Sequence, residues 1–380
     1  MTDEELHGRL IGQQGSRRDL NTPVLVIDLD ALTRNIERMA EFASRLNIQL
    51  RPHAKTHKSP EIAKRQMAAG AVGICCAKIG EAEVMADNGV TLGLHITSPV
   101  VSRPAIARLI GLNARTTDLM CVVDSPENVG VLGAAAAGGE SLKAVIDIDP
   151  GIRRTGVASP EAAVAVLAAI RAQPALTYMG VQCYCGLQQH IAGFDERREA
   201  MRDRAVFVRT VIDALTAAGG APSIVTGGGT GTHRIDPELG LFTELQTGSY
   251  VFMDSQYLAC DLTGDDEGSP FETALMIDAR VVSANAPGMV TVDAGFKAFA
   301  TDAGKPVVLN GAGDGAQYAF MGDEHGAILL ADGQTLTLAD VVTLAAPHCD
   351  PTVNLYDTYH VVRGDTLTAL WPVAARGRSR

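Results

Sequence analysis

The stretch R-P-H-A-K-T-H-K, at positions 51–58, concentrates basic side chains between a short apolar run and a helix-like run. Successive residues of a strand point to opposite faces, so Arg51, His53 and Lys55 are expected on one side. Among positive charges the ammonium form of a lysine is disfavoured, which lowers its pKa and yields a nucleophilic amine. We therefore predict that Lys55 forms a Schiff base with a carbonyl compound. The alternative is a solvated basic turn.

A glycine-rich run, T-G-G-G-T-G at positions 226–231, has the composition of an anion-binding loop. Glycines let backbone N–H groups turn toward a phosphate, because no Cβ stands in the way. The alternative is a plain tight turn. A compound with a phosphate at one end and a carbonyl for Lys55 at the other is pyridoxal 5′-phosphate, and the two stretches together predict that cofactor.

A third pair of residues, His348 and Asp350 in A-A-P-H-C-D-P-T, has the chemistry of metal ligands. On an extended segment two residues two apart share a face, and Cys349 between them is expected to point away. Imidazole with carboxylate suits a fairly hard divalent cation, with Mn²⁺ favoured, Mg²⁺ or Co²⁺ as alternatives and Zn²⁺ less expected. A structural pair without metal is the other interpretation.

The apolar runs that position these residues alternate with Ala-rich helical stretches from residue 48 to about residue 255. Near-continuous apolar strands between helices indicate a parallel sheet that is covered on both faces. Eight such units predict an α/β fold, a (β/α)₈ TIM-type barrel, with a doubly wound open sheet as the rival. The predicted strands are 48–55, 72–77, 92–97, 119–124, 143–149, 178–185, 223–229 and 243–252.

In such a barrel the functional groups gather at the carboxyl ends of the strands, and polar residues occur there in this chain. The loops after the seventh and eighth strands commonly bind phosphate, and they contain the glycine run and the turn at 247–250. The other polar residues are His53 and Lys55 after the first strand, Asp147 and Arg154 at the fifth, and Tyr184 at the sixth.

After about residue 255 the pattern changes to strand-like pieces without long helices, which predicts a second, C-terminal β domain. An acidic, glycine-rich segment over 255–272 is interpreted as a linker or loop. The apolar run at 24–29 is surplus to the eight barrel strands.

Charge and composition exclude several classes of partner. The net charge of −12 and the aromatic content of 4% argue against nucleic acid. No apolar run has the length of a membrane span and the first residues form no signal peptide, so we expect a cytoplasmic protein. The odd number of cysteines, seven, indicates reduced thiols rather than a disulfide framework.

With Lys55, the glycine run and the His348/Asp350 pair, the sequence resembles the D-threonine aldolase and D-serine dehydratase group of fold-type III pyridoxal-phosphate enzymes, related in architecture to alanine racemase. The resemblance runs from N-T-P-V-L-V-I-D-L-D to the end of the chain. Its further markers are G-I-C-C-A-K-x-x-E-A, G-I-R-R-T-G-V, T-G-S-Y-V-F-M-D and D-E-H-G. It implies a homodimer with interfacial active sites. It also implies that residues 1–30 join the β domain, 31–255 form the barrel, and 256–380 form the β domain with the metal ligands.

The resemblance implies a role for each matched residue. Lys55 holds the cofactor, and His348 and Asp350 bind the metal. Aldolase relatives often have histidine after the ring-edge tyrosine, where this chain has Cys185. The remaining cofactor contacts are Arg154 and Tyr184 at the ring edge, Thr226, Gly228, Gly229, Thr230 and Gly231 in the phosphate loop, and Tyr250 near it.

The implied reaction is retro-aldol cleavage of D-configured β-hydroxy-α-amino acids, with D-threonine giving glycine and acetaldehyde. The β-hydroxyl proton passes to metal-bound water or to a base such as His53. Dehydratase members of the group resemble one another in a His-x-Cys pair, whereas this chain has His-x-Asp, like the aldolases. D-serine dehydratase and D-3-hydroxyaspartate aldolase or dehydratase are the alternatives, and His190 and His325 are further candidate groups.

Overall fold

The computed structural model describes residues 1–265 and 268–380, and in this part of the chain strand β1 (Val24–Asp28) precedes an eight-stranded parallel sheet. Its strands are β2 (Gln49–Leu50), β3 (Ile74–Cys76), β4 (Leu94–Ile96), β5 (Met120–Val123), β6 (Leu142–Ile148), β7 (Leu176–Cys183), β8 (Ile224–Gly227) and β9 (Glu244–Leu245). They follow the order β2-β9-β8-β7-β6-β5-β4-β3. A parallel bridge between His53 and Cys75 joins the two ends, so the sheet closes and the predicted TIM-type barrel is confirmed.

Helices cover the outside of the barrel. Three of them, over Arg103–Asn113, Pro126–Ala136 and Pro160–Arg171, each begin after a serine whose hydroxyl accepts a hydrogen bond from a first-turn N–H. Each of these helices also has a proline in its first turn. Their apolar faces bury Leu109, Leu132 and Leu167 against the strands. The helices are α1 (Asp3–His7), α2 (Leu29–Arg45), α3 (Pro60–Ala68), α4 (Ile79–Asp87), α5 (Arg103–Asn113), α6 (Pro126–Ala136), α7 (Pro160–Arg171), α8 (Phe194–Ala217), α9 (Ser255–Leu258) and α10 (Cys349–Val353).

The observed barrel strands are shorter than the predicted ones, and the largest difference lies at 243–252. There β9 ends at Leu245, and Ser249–Val251 form a 3₁₀ turn. Gly248 brings the backbone so close to Thr56 that a Cβ would lie 2.6 Å from the hydroxyl oxygen. The chain leaves the sheet here to bury Phe252 in a second core, so the prediction of one strand over 243–252 is wrong.

The second sheet combines β1 with strands from the C-terminal part of the chain. β1 pairs in antiparallel fashion with the strand Leu275–Ser283 and in parallel with the strand Thr358–Arg363. The predicted boundaries at 30/31 and 255/256 stay predictions, and residues 266–267 of the predicted loop lie outside the described residues. The strands are β10 (Leu275–Ser283), β11 (Met289–Val292), β12 (Val307–Asn310), β13 (Gln317–Phe320), β14 (Gly326–Leu329), β15 (Val341–Ala345), β16 (Thr358–Arg363) and β17 (Thr366–Pro372).

One apolar core holds the second sheet against the barrel. Leu32, Ile36 and Met39 of α2 belong to the same buried cluster as Ile277 of β10 and Leu344 of β15. Because α2 follows β1 without a linker, the barrel helix and the strand of the second sheet are fixed to each other. This packing sets the position of the β domain over the carboxyl ends of the barrel strands.

A hydrogen bond between two imidazoles fastens the N-terminal segment to β16. Asn21 N–H donates to His7 Nε2 at 3.0 Å, so His7 carries its proton on Nδ1, which lies 2.8 Å from His360 Nε2. Asp3 completes a group whose candidate ligand atoms lie within 4.8 Å of one another. The imidazole lone pairs are used in hydrogen bonds, however, so this group does not fit a metal ion.

Two further sequence expectations concern the membrane and the cysteines. Over the described ranges, no helix combines the length and hydropathy of a bilayer span. The seven cysteines are buried and free, in agreement with the predicted reduced usage.

Arg51 turns into the barrel and pairs with Glu244 of β9. Its Nε and Nη2 donate to the two carboxylate oxygens at 2.9 and 2.7 Å, and its Nη1 donates to the carbonyl of Gly93. The two side chains are 7% and 2% exposed. The pair ties β2 to β9, and it neutralises Arg51, so this guanidinium adds no uncompensated positive charge to the predicted basic cluster.

Removal of one charge from this buried pair should cost stability. We expect Glu244→Gln to lower the free energy of unfolding by about 3–5 kcal/mol, because Arg51 would keep an uncompensated buried charge. The matched control is Asp87→Asn, which removes the exposed partner of Arg115 and should cost less than about 1 kcal/mol. Chemical unfolding followed by circular dichroism measures both changes. Equal losses would contradict this account of the barrel seam.

Candidate active site

A cleft of about 510 Å³ opens at the carboxyl ends of the barrel strands. It lies where the sequence predicts the functional groups. Most of the predicted residues line its wall, and Asp350, one of the two predicted metal ligands, contacts Lys55. The predicted residues in the wall are His53, Lys55, Arg154, Tyr184, Gly228, Gly229 and Thr230.

Lys55 follows β2 in a turn, and its side chain meets Asp350 of the β domain. Lys55 Nζ lies 2.6 Å from Asp350 Oδ1, and the two side chains are 40% and 12% exposed. The two residues are 295 positions apart in the sequence. The contact brings the predicted Schiff-base lysine and a predicted metal ligand together within a single chain.

This contact reverses the predicted pKa of Lys55. Burial acts to lower the pKa of Lys55, but the carboxylate of Asp350, with a further contribution from Tyr184, raises it above its ordinary value. The positive charge of Lys55 lowers the pKa of Asp350, against the effect of burial. The prediction of a lowered lysine pKa is wrong because the basic neighbours are neutralised by other partners, Arg51 by Glu244 and Lys58 by Glu81.

His53 lines the cleft with both of its ring nitrogens engaged. The backbone N–H of Lys55 donates to His53 Nδ1 at 3.3 Å, which places the ring proton on Nε2, 3.1 Å from Thr97 Oγ1. Burial, and then the charge of Lys55, lowers the pKa of His53 well below its usual range, so the imidazole is neutral. Neither nitrogen is free to accept a proton from the cleft, which disfavours His53 as a base. The role itself stays a prediction.

The glycine run directly after β8 presents backbone N–H groups at the cleft. In the described part of the chain the N–H groups of Gly228, Thr230, Gly248 and Ser249 donate to no protein acceptor, and all four residues line the cleft. Thr56, which also lines it, has a buried hydroxyl without a partner. The φ of Gly228, +74°, is one that glycine adopts readily. These unpaired donors fit the oxygens of a phosphate group.

Other predicted cofactor contacts lie behind the wall and support it. Tyr250 is 1% exposed and its hydroxyl accepts a hydrogen bond from Gln66 at 3.1 Å, while its backbone N–H donates to Thr230 Oγ1 at 3.0 Å. The N–H of Gly231 donates to Gln189 Oε1 at 3.0 Å. Tyr250 and Gly231 therefore hold the loop in shape, as does Thr226, whose hydroxyl accepts from Gln246.

Arg154 and Tyr184 form one side of the cleft. The guanidinium carbon of Arg154 lies 5.5 Å from the centre of the Tyr184 ring, in a cation–π contact. Both side chains line the cleft together with Lys55. This places a cation and an aromatic ring beside the lysine, as the resemblance implies for the ring edge of the cofactor.

His348 and Asp350 face each other, although not on the extended segment that the sequence predicts. Helix α10 begins at Cys349, with His348 just before it. His348 Nε2 nevertheless lies 4.0 Å from Asp350 Oδ2. The two atoms are close enough for one divalent ion to contact both. The donor set of one imidazole and one carboxylate fits a hard cation.

Asp302 and Cys349 contact this pair. His348 Nδ1 lies 2.7 Å from Asp302 Oδ2, a contact that leaves the lone pair of Nε2 for a metal. Cys349 does not point away as predicted, because its Sγ lies 3.5 Å from Asp350 Oδ2. Burial raises the pKa of the Cys349 thiol well above its usual range, so this sulfur stays protonated beside the carboxylate.

His190 is a neutral imidazole at the edge of the cleft. Its ring centroid lies 4.4 Å from that of Tyr257, which lines the cleft, and its buried Nδ1 has no partner among the described residues. Burial, followed by the positive charges of His348 and Lys55, lowers the pKa of His190 to about 4. His325, by contrast, is exposed in a turn and does not line the cleft.

Sequence reasoning misses several polar residues that the fold brings to the site. Asp302 lies in a segment without a motif, so only the tertiary contact with His348 reveals it. Gln182 is a buried polar residue inside the apolar strand β7, and that position is a signal that the sequence offers. Gln246, one residue after β9, gives the same signal.

Comparisons with known proteins agree with this architecture. The family model described as "Alanine racemase, N-terminal domain" matches residues 27–256, and "Putative serine dehydratase domain" matches residues 274–362. The chain is 39% identical to 3-hydroxy-D-aspartate aldolase of Paracoccus denitrificans, over 95% of this chain and 93% of that protein. It is 38% identical to D-threonine aldolase of an Arthrobacter species, over 95% and 94%. The crystal structure of D-threonine aldolase from Filomicrobium marinum superposes with a TM-score of 0.90 at 38% identity, over 95% and 97%.

Replacement of the lysine in the cleft should remove the covalent link to the cofactor. We expect Lys55→Ala to abolish the absorbance near the visible edge that protein loaded with pyridoxal phosphate shows, because no other amine would hold the aldehyde. The control is Lys64→Ala, which changes an exposed lysine paired with Glu61 and should keep the absorbance. An unchanged spectrum in Lys55→Ala would refute the assignment.

Proposed function

Because the chain is a lyase of this pyridoxal-phosphate family, in which an alanine racemase-like barrel is joined to a serine dehydratase-like domain, we propose that it acts as a D-threonine aldolase. In this proposal it cleaves the Cα–Cβ bond of D-configured β-hydroxy-α-amino acids and converts D-threonine to glycine and acetaldehyde. The observation that carries the proposal is the 2.6 Å contact between Lys55 and Asp350, which brings the amine next to one of the two residues that would hold a metal.

The residues of the cleft fit the two ends of pyridoxal phosphate. Lys55 would hold the aldehyde end, and the unpaired N–H groups of Gly228, Thr230, Gly248 and Ser249 would hold the phosphate. When bound, this cofactor supplies the electron sink that cleavage of the Cα–Cβ bond requires. Arg154 and Tyr184 would border its ring.

His348 and Asp350 would hold a divalent cation, with Mn²⁺ the first choice, whose Lewis acidity lowers the pKa of the substrate's β-hydroxyl. In the structure the ammonium of Lys55 neutralises Asp350 through Oδ1. A Lys55 nitrogen held by the cofactor would neutralise Asp350 less, so the carboxylate would be available to the cation. Cofactor and metal loading would then be coupled through this one side chain.

We assign the proton of the β-hydroxyl to His190 in preference to His53. The Nδ1 of His190 is unpaired, whereas both nitrogens of His53 make hydrogen bonds. With a pKa of about 4, His190 is neutral at pH 7 and can accept a proton. The charge of His348 contributes to the lowering of this pKa, so the two imidazoles lie within electrostatic reach of each other.

A second candidate substrate is 3-hydroxy-D-aspartate, which would give glyoxylate and glycine. Lys78, exposed at the start of α4, lines the cleft and offers a cation for the second carboxylate of that substrate. A relative that is 39% identical has this activity in its name. D-serine dehydratase activity is less favoured, because this chain has the carboxylate of Asp350 at the position where the dehydratases have cysteine.

We also propose that the chain forms the homodimer that the family implies. Val101 and Leu187 are 67% and 69% exposed, and Val101 lines the cleft, so apolar surface lies at its rim. A second subunit that covers this rim would shield the reacting groups from water.

The direct test is incubation of the purified protein with D-threonine and with L-threonine. The proposal predicts glycine and acetaldehyde from the D-isomer and neither product from the L-isomer. 3-Hydroxy-D-aspartate and D-serine are assayed in parallel for glyoxylate and ammonia. Ammonia from D-serine without aldehyde release from any substrate would replace the aldolase by a dehydratase.

Loss of the metal ligands should remove activity without removing the cofactor. We expect Asp350→Ala, or a chelator added to the wild type, to lower kcat/KM for D-threonine at least about a hundredfold, since metal stabilisation of developing charge amounts to several kcal/mol. The control Asp332→Ala changes an exposed carboxylate and should have no effect. A wild-type rate that the chelator leaves untouched would remove the metal from the mechanism.

The choice of base makes a separate prediction. We expect His190→Asn to reduce kcat by about 10²–10⁴-fold, the usual contribution of a positioned base, while the cofactor spectrum is retained. His325→Asn, at an exposed turn, serves as the control. If His53→Gln lost more than His190→Asn in the same assay, the assignment would pass to His53.

A further inference from the structure

Two amide side chains form part of the cleft wall, and one of them is fully engaged in hydrogen bonds. Gln182, at the end of β7, donates from Nε2 to Asp147 Oδ1 at 3.0 Å and to the carbonyl of Thr97 at 3.3 Å. Its Oε1 lies 2.8 Å from His95 Nε2 and accepts from Gln246 Nε2 at 3.1 Å. Gln182 therefore has no remaining capacity for a ligand.

Asp147 and the carbonyl of Thr97, which both only accept, determine which way these amides point. Its Oδ2 accepts from Thr155 Oγ1 at 2.8 Å, and its Oδ1 accepts from Gln182. Burial raises the pKa of Asp147 to about 6, while these two hydrogen bonds act in the opposite direction, so the carboxylate is ionised above pH 7. An ionised carboxylate only accepts, so Gln182 must turn its NH₂ group toward Asp147 and its oxygen toward Gln246.

The orientation of Gln182 fixes that of Gln246. Both N–H groups of Gln246 are used, one on Gln182 Oε1 and the other on Thr226 Oγ1 at 3.0 Å. Its Oε1 makes no hydrogen bond within the described ranges. Gln246 is 5% exposed and lines the cleft, so it offers a ligand an acceptor and no donor.

We propose that Gln246 Oε1 accepts a hydrogen bond from the ring nitrogen of bound pyridoxal phosphate and keeps that nitrogen protonated, with Asp147 as a positioning residue that acts through Gln182. This inference rests on the cofactor of the proposed function. In pyridoxal phosphate the aldehyde carbon lies across the ring from the nitrogen. With Lys55 and the phosphate loop holding the aldehyde edge, the nitrogen is left for the remaining polar wall.

A protonated ring nitrogen serves the proposed reaction. The positive ring withdraws electrons from the breaking bond more strongly than a neutral one. A hydrogen bond from a cationic N–H to an amide oxygen is charge-assisted and stabilises that form. The reverse orientation of Gln246 would present an N–H, which can pair only with an unprotonated nitrogen.

The arrangement predicts that a change at Asp147 alters the proton on the cofactor. In Asp147→Asn the new NH₂ group can donate to Gln182 Oε1, so the hydrogen bond from Gln182 to the Thr97 carbonyl, at 3.3 Å, is what remains to oppose reversal of both glutamine amides. Gln246 would then present N–H to the cleft. The substitution changes no residue that touches the cofactor in this proposal.

The test is the ¹⁵N chemical shift of pyridoxal phosphate labelled at the ring nitrogen and bound to the wild type and to Gln246→Leu, Gln246→Glu and Asp147→Asn at pH 8, without substrate. We expect a pyridinium shift in the wild type and in Gln246→Glu, which keeps an acceptor, and a shift moved to the neutral pyridine value in Gln246→Leu and Asp147→Asn. Absorbance near the visible edge reports loading of each sample.

The outcomes separate the two proposals. Loaded wild type with a neutral ring nitrogen, or Gln246→Leu with an unchanged pyridinium shift, would overturn the role of Gln246 and leave the aldolase proposal intact. An unchanged shift in Asp147→Asn would overturn the positioning role of Asp147. A wild-type protein that takes up no cofactor would overturn the proposed function and this inference with it.

Discussion

The ion pair between Lys55 and Asp350 is the constraint on which the site depends, because it joins the barrel to the β domain. The lysine follows a barrel strand, and the carboxylate lies at the start of a short helix in the β domain. Their meeting at 2.6 Å requires the apolar core that packs α2 against β10 and β15. The insertion of β1 beside β10 and β16 fixes that core, because β1 continues directly into α2. The distance between amine and carboxylate is thus set by packing far from the cleft.

Much of the architecture follows from the sequence. Apolar runs between Ala-rich helices predict the barrel, and the glycine run after β8 predicts the loop of unpaired N–H groups. The lengths of β2 and β9 could not be predicted, because Gly248 and the residues after it leave the sheet to satisfy contacts with Thr56 and the second core. The predicted lowering of the pKa of Lys55 is wrong for a similar reason. Which acid neutralises which base is decided by contacts between distant residues, such as Arg51 with Glu244.

The barrel and the β domain each contribute side chains to the candidate site. The barrel contributes the lysine, the glycine-rich loop after β8 and a polar wall in which Asp147, Gln182 and Gln246 have defined hydrogen-bond directions. The β domain contributes His348 and Asp350, with Asp302 behind the imidazole. Spacing in the sequence identifies the His-x-Asp pair but gives neither Asp302 nor the direction of an amide. Those features depend on side-chain contacts between residues that are distant in the sequence.

The central claim is that the cofactor and the metal occupy one cleft of one chain, and a single measurement tests it. The ³¹P signal of bound pyridoxal phosphate is recorded with Mg²⁺ and again with Mn²⁺, which is paramagnetic and relaxes only nearby nuclei. The account predicts that Mn²⁺ strongly broadens this signal in the wild type. In Asp350→Ala the signal should stay sharp, because the ion is no longer held near the phosphate. A phosphate signal equally sharp with both ions, in protein that has bound Mn²⁺ at His348 and Asp350, would contradict it.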